Sequence, residues 1–314
     1  MHVALLIDTC HESLRIDLEQ NGVLVVDASA QSDEEVLRQM AGATILVVRS
    51  RMQIDEAKLR LAPKLKIIAR LGSGLDNIDE QSCNLRGITL LNSPEGNCDA
   101  VAEHVIGMML AFSKKIAFAD REVRQHLWQR EANRGFELGA KTLGIIGYGN
   151  AGKALARKIS GFDMRVLAFD KYLHKYGDQY AQETSLRDIQ TSAHVISIHT
   201  PLTSETHQFI NDGFLAACRN KPLIVNAARG QIVQLEHLID AIQKGSICGA
   251  CLDVLPDEGY NKWQYHDKAV YEKLIQLPNV VLTPHVAGWS KEAELKMAVV
   301  LVEKILTLIN TNVI

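Results

Sequence analysis

Short, wholly apolar runs alternate with amphipathic stretches through the first third of the chain. HVALLID, VLVVDA, ATILVVRS, LKIIARLG and ITLLNSP read as strands, and HESLRIDLEQNG, SDEEVLRQMAG and IDEAKLRLAP read as the helices between them. This alternation predicts parallel βα units joined by short loops. Ser32 to Glu35 fits a capping box at one helix start, and Gly22 and Gly42 punctuate helix ends. A long helix is predicted over about residues 99–128, with Ala102, Val105, Ile106, Met109 and Leu110 on one face. It bridges the two halves or packs against a partner subunit. The alternation resumes from Thr142 to His285, and Ser290 to Asn310 predicts an amphipathic helix that returns to the first half.

A chain of 314 residues exceeds the usual size of one core, so two domains are expected. Its 47% hydrophobic and 23% charged residues are those of an ordinary soluble protein. The net charge of −3 lacks the basic excess of a nucleic-acid surface. No apolar run approaches the roughly 20 residues of a membrane span, and the run Val3 to Ile7 is too short for a signal peptide. Six scattered cysteines fit reduced, cytoplasmic thiols. Cys248-Gly249-Ala250-Cys251 has redox or metal-site spacing, but it lies inside an apolar stretch where a buried strand is the simpler reading, and no metal is expected.

Gly147-Tyr148-Gly149-Asn150-Ala151-Gly152 carries more chemistry. It follows the apolar run TLGIIG, opens a helical stretch, and precedes a second apolar run, MRVLAFD, that ends at Asp170. A tight turn needs positive φ, a pyrophosphate needs bare backbone, and close helix–strand packing excludes a side chain; glycine meets all three needs. The helix start favours phosphate, and a carboxylate at Asp170 can accept ribose hydroxyls while repelling a 2′-phosphate. NAD is therefore expected, and favoured over NADP.

Ligands of doubly wound sheets lie outside the carboxyl ends of the strands. Polar residues ending apolar runs there include Thr200, Arg229, Asp253 leading to Glu258, and His285. Each alone is as readily an ordinary loop residue. Together they supply an imidazole to take a hydroxyl proton near neutral pH, a carboxylate to hold its other nitrogen, and a guanidinium to grip a substrate carboxylate.

GIIGYGNAG with Asp170, HTPLT, NAARG, the Asp253 to Glu258 interval and LTPHVAG resemble, in combination and order, the D-2-hydroxyacid dehydrogenase family; RLGSGLDNID and NSPEGNCDAVAEH extend the likeness across the chain. The resemblance implies an α/β fold of two Rossmann/flavodoxin-like, doubly wound parallel-sheet domains with an active-site cleft between them. Residues 1–95 plus 290–314 would form the substrate domain and residues 96–289 the NAD-binding domain, connecting helix included. It also implies that Arg229 binds and polarises the substrate, that Glu258 pairs with His285, and that His285 exchanges the proton. The backbone around Ser73 and Gly74 would cradle the substrate carboxylate. Gly147, Gly149, Asn150, Ala151, Gly152, Asp170, Thr200, Ala227, Asp253 and Gly288 would line NAD.

VVRSR (47–51), Trp128-Gln129-Arg130 and ELGAKTLGIIG further resemble the D-3-phosphoglycerate dehydrogenases of serine synthesis. Arg49, Arg51 and Arg70 suit a phosphate, the alternative for Arg49 and Arg51 being a pair of solvated edge charges. In that group an arginine matching Arg130 reaches the partner subunit's site, so a homodimer is expected. A glyoxylate or hydroxypyruvate reductase would need fewer arginines, a corepressor-like NAD sensor would retain the motifs without turnover, and a formate dehydrogenase would carry glutamine in place of Glu258. The sequence departs from the family where Gly259 replaces the usual proline and where the aromatic segment 259–274 follows. With Ile314 as the last residue, a C-terminal regulatory domain and serine feedback are expected to be absent.

Overall fold

The computed structural model describes residues 2–256, 258–259, 262–263 and 268–311. The chain divides into two compact units, Met1–Cys98 with Gly288–Ile314, and Asp99–Ala287. In the first unit β1 (Val3–Leu6), α1 (Glu12–Gln20), β2 (Leu24–Asp27), α2 (Asp33–Gln39), β3 (Ile45–Val48), α3 (Glu56–Arg60), β4 (Ile67–Arg70), α4 (Glu80–Leu85) and β5 (Thr89–Asn92) alternate as expected. All five strands are parallel, in the order β2-β1-β3-β4-β5, which is the flavodoxin-like winding. The buried Leu5, Leu46, Val48 and Ile68 join Val36, Met40 and Leu59 in one apolar cluster. The Ser32–Glu35 capping box is formed in both directions.

The second unit starts within α5 (Pro94–Ser113) and continues through α6 (Ile116–Arg124), β6 (Thr142–Ile146), α7 (Asn150–Lys158), β7 (Arg165–Phe169), β8 (Gln182–Glu183), α8 (Leu186–Ser192) and β9 (Val195–Ile198). It is completed by α9 (Asp212–Ala217), β10 (Leu223–Asn226), α10 (Leu235–Gln243), β11 (Gly249–Leu252), the short β12 (Glu258–Gly259) and β13 (Lys262–Trp263), α11 (Lys268–Gln276) and β14 (Val280–Leu282). Seven parallel strands run β14-β11-β10-β9-β6-β7-β8. The order reverses between β6 and β9, and that switch point is where the glycine loop leaves β6. The central strands β6, β9, β10 and β11 are buried at every position, as a sheet covered on both faces requires. The closing helix α12 (Lys291–Asn310), capped by Ser290, packs on α1, β4 and β5 of the first unit.

The structure corrects one expected element. The long helix of residues 99–128 is two helices, the first beginning at Pro94. It breaks where Lys115 takes φ 53°, and the amide of Phe136 donates to the freed carbonyl of the buried Ser113 at 2.9 Å. Gly135 allows that approach, since a Cβ there would lie 2.3 Å from the same oxygen. Trp128 and Arg130 fall in the exposed stretch beyond α6. Cys251 lies buried in β11, as a strand residue should, and burial pushes the neighbouring Cys248 thiol up to about 11. The unusual segment after Glu258 opens as an antiparallel pair of β12 and β13 and closes as α11; its residues 260–261 and 264–267 lie outside the described residues.

Candidate active site

In the glycine loop the three glycines have three separate reasons. Gly147 has φ +94°, and a Cβ on it would lie 2.7 Å from the His199 carbonyl oxygen. Gly152 lets α7 approach β6, because a Cβ there would meet the Gly147 oxygen at 2.3 Å. Gly149 is exposed, with nothing within 4 Å of its missing Cβ, and it precedes α7 without any side-chain cap. Bare backbone and uncapped amides therefore meet at the switch point. Asn150 and Ala151 form the first turn of α7. Beside Gly147, the hydroxyl of Thr200 is buried and has no hydrogen-bond partner among the described residues. A buried unsatisfied hydroxyl is costly, and a polar group of a bound dinucleotide would satisfy it. These features fit NAD.

Asp170 ends β7 with its carboxylate already engaged. One oxygen accepts from the Tyr148 amide at 2.9 Å, and the other from the amides of Tyr172 and Leu173 at 3.0 and 3.1 Å. Of the roughly four acceptor sites on a carboxylate, three are taken, so about one remains for a ribose hydroxyl. The expected acceptance of both hydroxyls is corrected accordingly, and the carboxylate acts on a 2′-phosphate chiefly through its charge.

Three loops at the carboxyl ends of β10, β11 and β14 carry the residues expected to serve as acid, base and substrate grip. The buried Asn226 side chain donates to the Arg229 carbonyl at 2.9 Å and accepts from the Ala228 amide at 3.0 Å, which fixes the turn holding Ala227 and Arg229. Gly230 presses this turn against the next loop; a Cβ on it would sit 2.0 Å from the Leu255 carbonyl carbon. Glu258 accepts from the Leu255 amide at 3.3 Å and, with its other oxygen, pairs with Nδ1 of His285 at 2.6 Å. His285 adopts φ 55°, a left-handed conformation that the surroundings must hold in place.

Asp253 does that holding. Its carbonyl accepts the His285 amide at 2.7 Å, and its carboxylate accepts the amides of Val286 and Ala287 at 3.0 and 2.8 Å and the Thr283 hydroxyl at 2.5 Å. Nε2 of His104, on α5, lies 3.4 Å from the same carboxylate and 3.0 Å from Thr283. Burial pushes the Asp253 pKa up, but these donors outweigh it and hold it down at about 2. The side chain has no exposed surface. Asp253 was expected to line NAD; in the structure it positions the His285 loop instead. His104, Asn226 and Thr283 lie inside the quoted motifs, but nothing in the sequence marked them as the scaffold of the site.

The expected substrate residues of the first unit divide. Arg51 is corrected: its guanidinium donates to Asp33 at 2.9 Å and to the carbonyls of Ile7, Ala28, Ser29 and Gln31, tying the β1 and β2 ends together. Asp8 in turn fills the amides of Arg49, Ser50 and Arg51. Arg49 stacks its guanidinium on the Trp289 ring at 3.2 Å, and Arg70, at the adjacent strand end, folds over Gly72. Ser73 donates to Asn97 at 2.7 Å, and Asn97 packs against Gly288. Gly74, half-buried, follows Ser73 in the same loop. Gly288 thus belongs to the first unit.

A nucleotide-binding sheet with an imidazole–carboxylate pair and an arginine at its strand ends defines a class of nicotinamide-linked oxidoreductase. The family model for the D-isomer specific 2-hydroxyacid dehydrogenase NAD binding domain matches residues 106–287. The chain belongs to that family. It is 36% identical to a D-3-phosphoglycerate dehydrogenase of Archaeoglobus fulgidus over 93% of its length, but spans only 54% of that relative. It is 35% identical to a hydroxypyruvate reductase of Thermotoga maritima, covering 90% of both chains. The structure of D-lactate dehydrogenase from Aquifex aeolicus, complexed with NAD and lactic acid, superposes with a TM-score of 0.82 at 26% identity, over 99% of this chain and 96% of that one.

Asp253→Asn should lower unfolding stability at neutral pH by about 2 to 4 kcal/mol, the cost of weakening several charge-assisted bonds in a buried place. Because the folded-state pKa is depressed from 3.8 to about 2, the charged form's contribution is complete above the ordinary value and disappears as pH falls through about 2. The gap between wild type and variant should therefore narrow by about 2 kcal/mol between pH 4 and pH 2 in urea titrations. A gap independent of pH would contradict this role.

Proposed function

We propose that the chain is an NAD-dependent dehydrogenase of D-2-hydroxy acids, the second unit binding the cofactor and the first supplying substrate contacts. The Glu258–His285 pair at 2.6 Å carries the reading. Nδ1 faces the carboxylate, so Nε2 is the nitrogen that takes the hydroxyl proton of the alcohol, or returns it to the ketone. Glu258 stabilises the imidazolium that results, and Arg229 grips the substrate's carboxylate and polarises its carbonyl oxygen. Bound NAD supplies the hydride exchange at the substrate carbon.

For the substrate, 3-phosphoglycerate, oxidised to 3-phosphohydroxypyruvate, remains the leading reading, now resting on Arg49 and Arg70. A hydroxypyruvate or glyoxylate reductase is the second reading, favoured by the commitment of Arg51 to backbone carbonyls and by a relative of matching length. A corepressor-like NAD sensor is a third, and turnover decides it. We also infer a homodimer, supported by α6, which has no buried residue, and by Trp128, 79% exposed just beyond it. A partner copy would cover these side chains. Among the described residues no helix is long and apolar enough to cross a membrane.

His285→Ala should reduce kcat by about two to four orders of magnitude with NADH binding nearly unchanged; near-wild-type turnover would sink the assignment. Arg49→Ala should cost 3-phosphohydroxypyruvate about ten- to 150-fold in kcat/KM, and hydroxypyruvate much less. Arg51→Ala should instead lower Tm and depress both substrates together, whereas equal losses for the two substrates in Arg49→Ala would favour the reductase reading. Light scattering should give twice the chain mass at micromolar concentration, and a fully active monomer would refute the dimer.

A further inference from the structure

The residue after Asp170 is a cation that the fold has already neutralised. Lys171 Nζ lies 2.7 Å from Glu205, and the Tyr172 hydroxyl donates to the same carboxylate oxygen at 2.5 Å. Glu205 comes from the loop that follows β9, while Lys171 and Tyr172 follow β7. In the sheet β9 and β7 flank β6, so this clasp joins the two loops on either side of the glycine loop. Hydrogen bonding moves both partners toward their charged forms, with Glu205 held below and Lys171 above its ordinary value.

A cation next to the ribose-binding acid is what a 2′-phosphate requires, since NADP sites of this winding place a basic side chain there. Lys171 has the position and the charge. Asp170, with about one acceptor site left, discriminates mainly by its own charge, so where the neighbouring cation is held matters. Resting on the reading of this loop as the NAD site, we propose that Glu205 is a cofactor-specificity residue: it holds Lys171 away from the adenosine ribose, keeping NADP out. The pair is exposed, so it adds little to stability. Its effect lies in where the lysine is held.

The test uses the full-length protein, with NADH and NADPH fluorescence titrations alongside kcat/KM for both cofactors. Glu205→Gln should raise NADPH affinity relative to NADH about three- to tenfold at low salt, the scale of one cation brought within several ångströms of a dianion in a water-like medium, and less at high salt. Adding Lys171→Met to Glu205→Gln should cancel most of that gain, because the released lysine is its source. An unchanged ratio in Glu205→Gln with NADH binding intact overturns the proposal, as does a gain that survives loss of Lys171. Loss of NADH affinity without a change in ratio also overturns it, reducing Glu205 to a wall of the site. A wild-type protein that binds neither cofactor would refute the NAD site itself, and that failure is distinct from the others.

Discussion

One buried carboxylate organises the loop that presents His285 to Glu258. Asp253 stands at the end of β11 with no exposed side-chain surface, and its donors come from the β14 loop and from α5. A charge so placed is unfavourable unless nearly every lone pair is used. That demand lets it dictate geometry: the amides of residues 286 and 287 must point inward, and His285 is left in a left-handed conformation with its ring turned outward to Glu258. Strain in the backbone of His285 is offset by charge-assisted bonds one and two residues later.

Close backbone approach does the remaining work. Parallel strands emerging from one sheet bring their loops to the same edge, but only to within the reach of side chains. Gly230 brings the β10 loop against Leu255, and Gly147 brings the glycine loop against His199, at distances no Cβ would permit. Arg229 and the Glu258 turn are thereby packed as neighbours, and the switch point is left with exposed amides, an orphaned Thr200 hydroxyl and the charge of Asp170. In the first unit the same economy applies to anions. Asp8 fills the amides after β3, and Arg51 ties carbonyls of the β1 and β2 ends.

The strands were legible because buried parallel strands are wholly apolar and their loops are short, and the glycine loop because its three constraints admit one residue type. Helix 99–128 was misread because nothing local in Ser113-Lys114-Lys115 announces a break; the amide that caps it comes from Phe136, more than twenty residues later. The pairing of Glu258 with His285 was legible through family resemblance, but the roles of His104, Asn226 and Asp253 were not. Whether a carboxylate at a strand end faces a ligand or is spent on its own loops depends on which amides the fold turns toward it. Composition and spacing cannot specify that. The same holds for Arg51, whose partners come from three separate loops.

The positioning of His285 through Asp253 is tested most directly by downfield proton NMR of the imidazole Nδ1 hydrogen shared with Glu258. Wild type should show this resonance in the pH range where the imidazole is protonated, and Glu258→Gln should lose it. Asp253→Asn, at a temperature where its fold persists, should lose or strongly broaden it although both partners remain. An unaltered resonance in Asp253→Asn would contradict the claim that the buried carboxylate holds the Glu258–His285 pair in place.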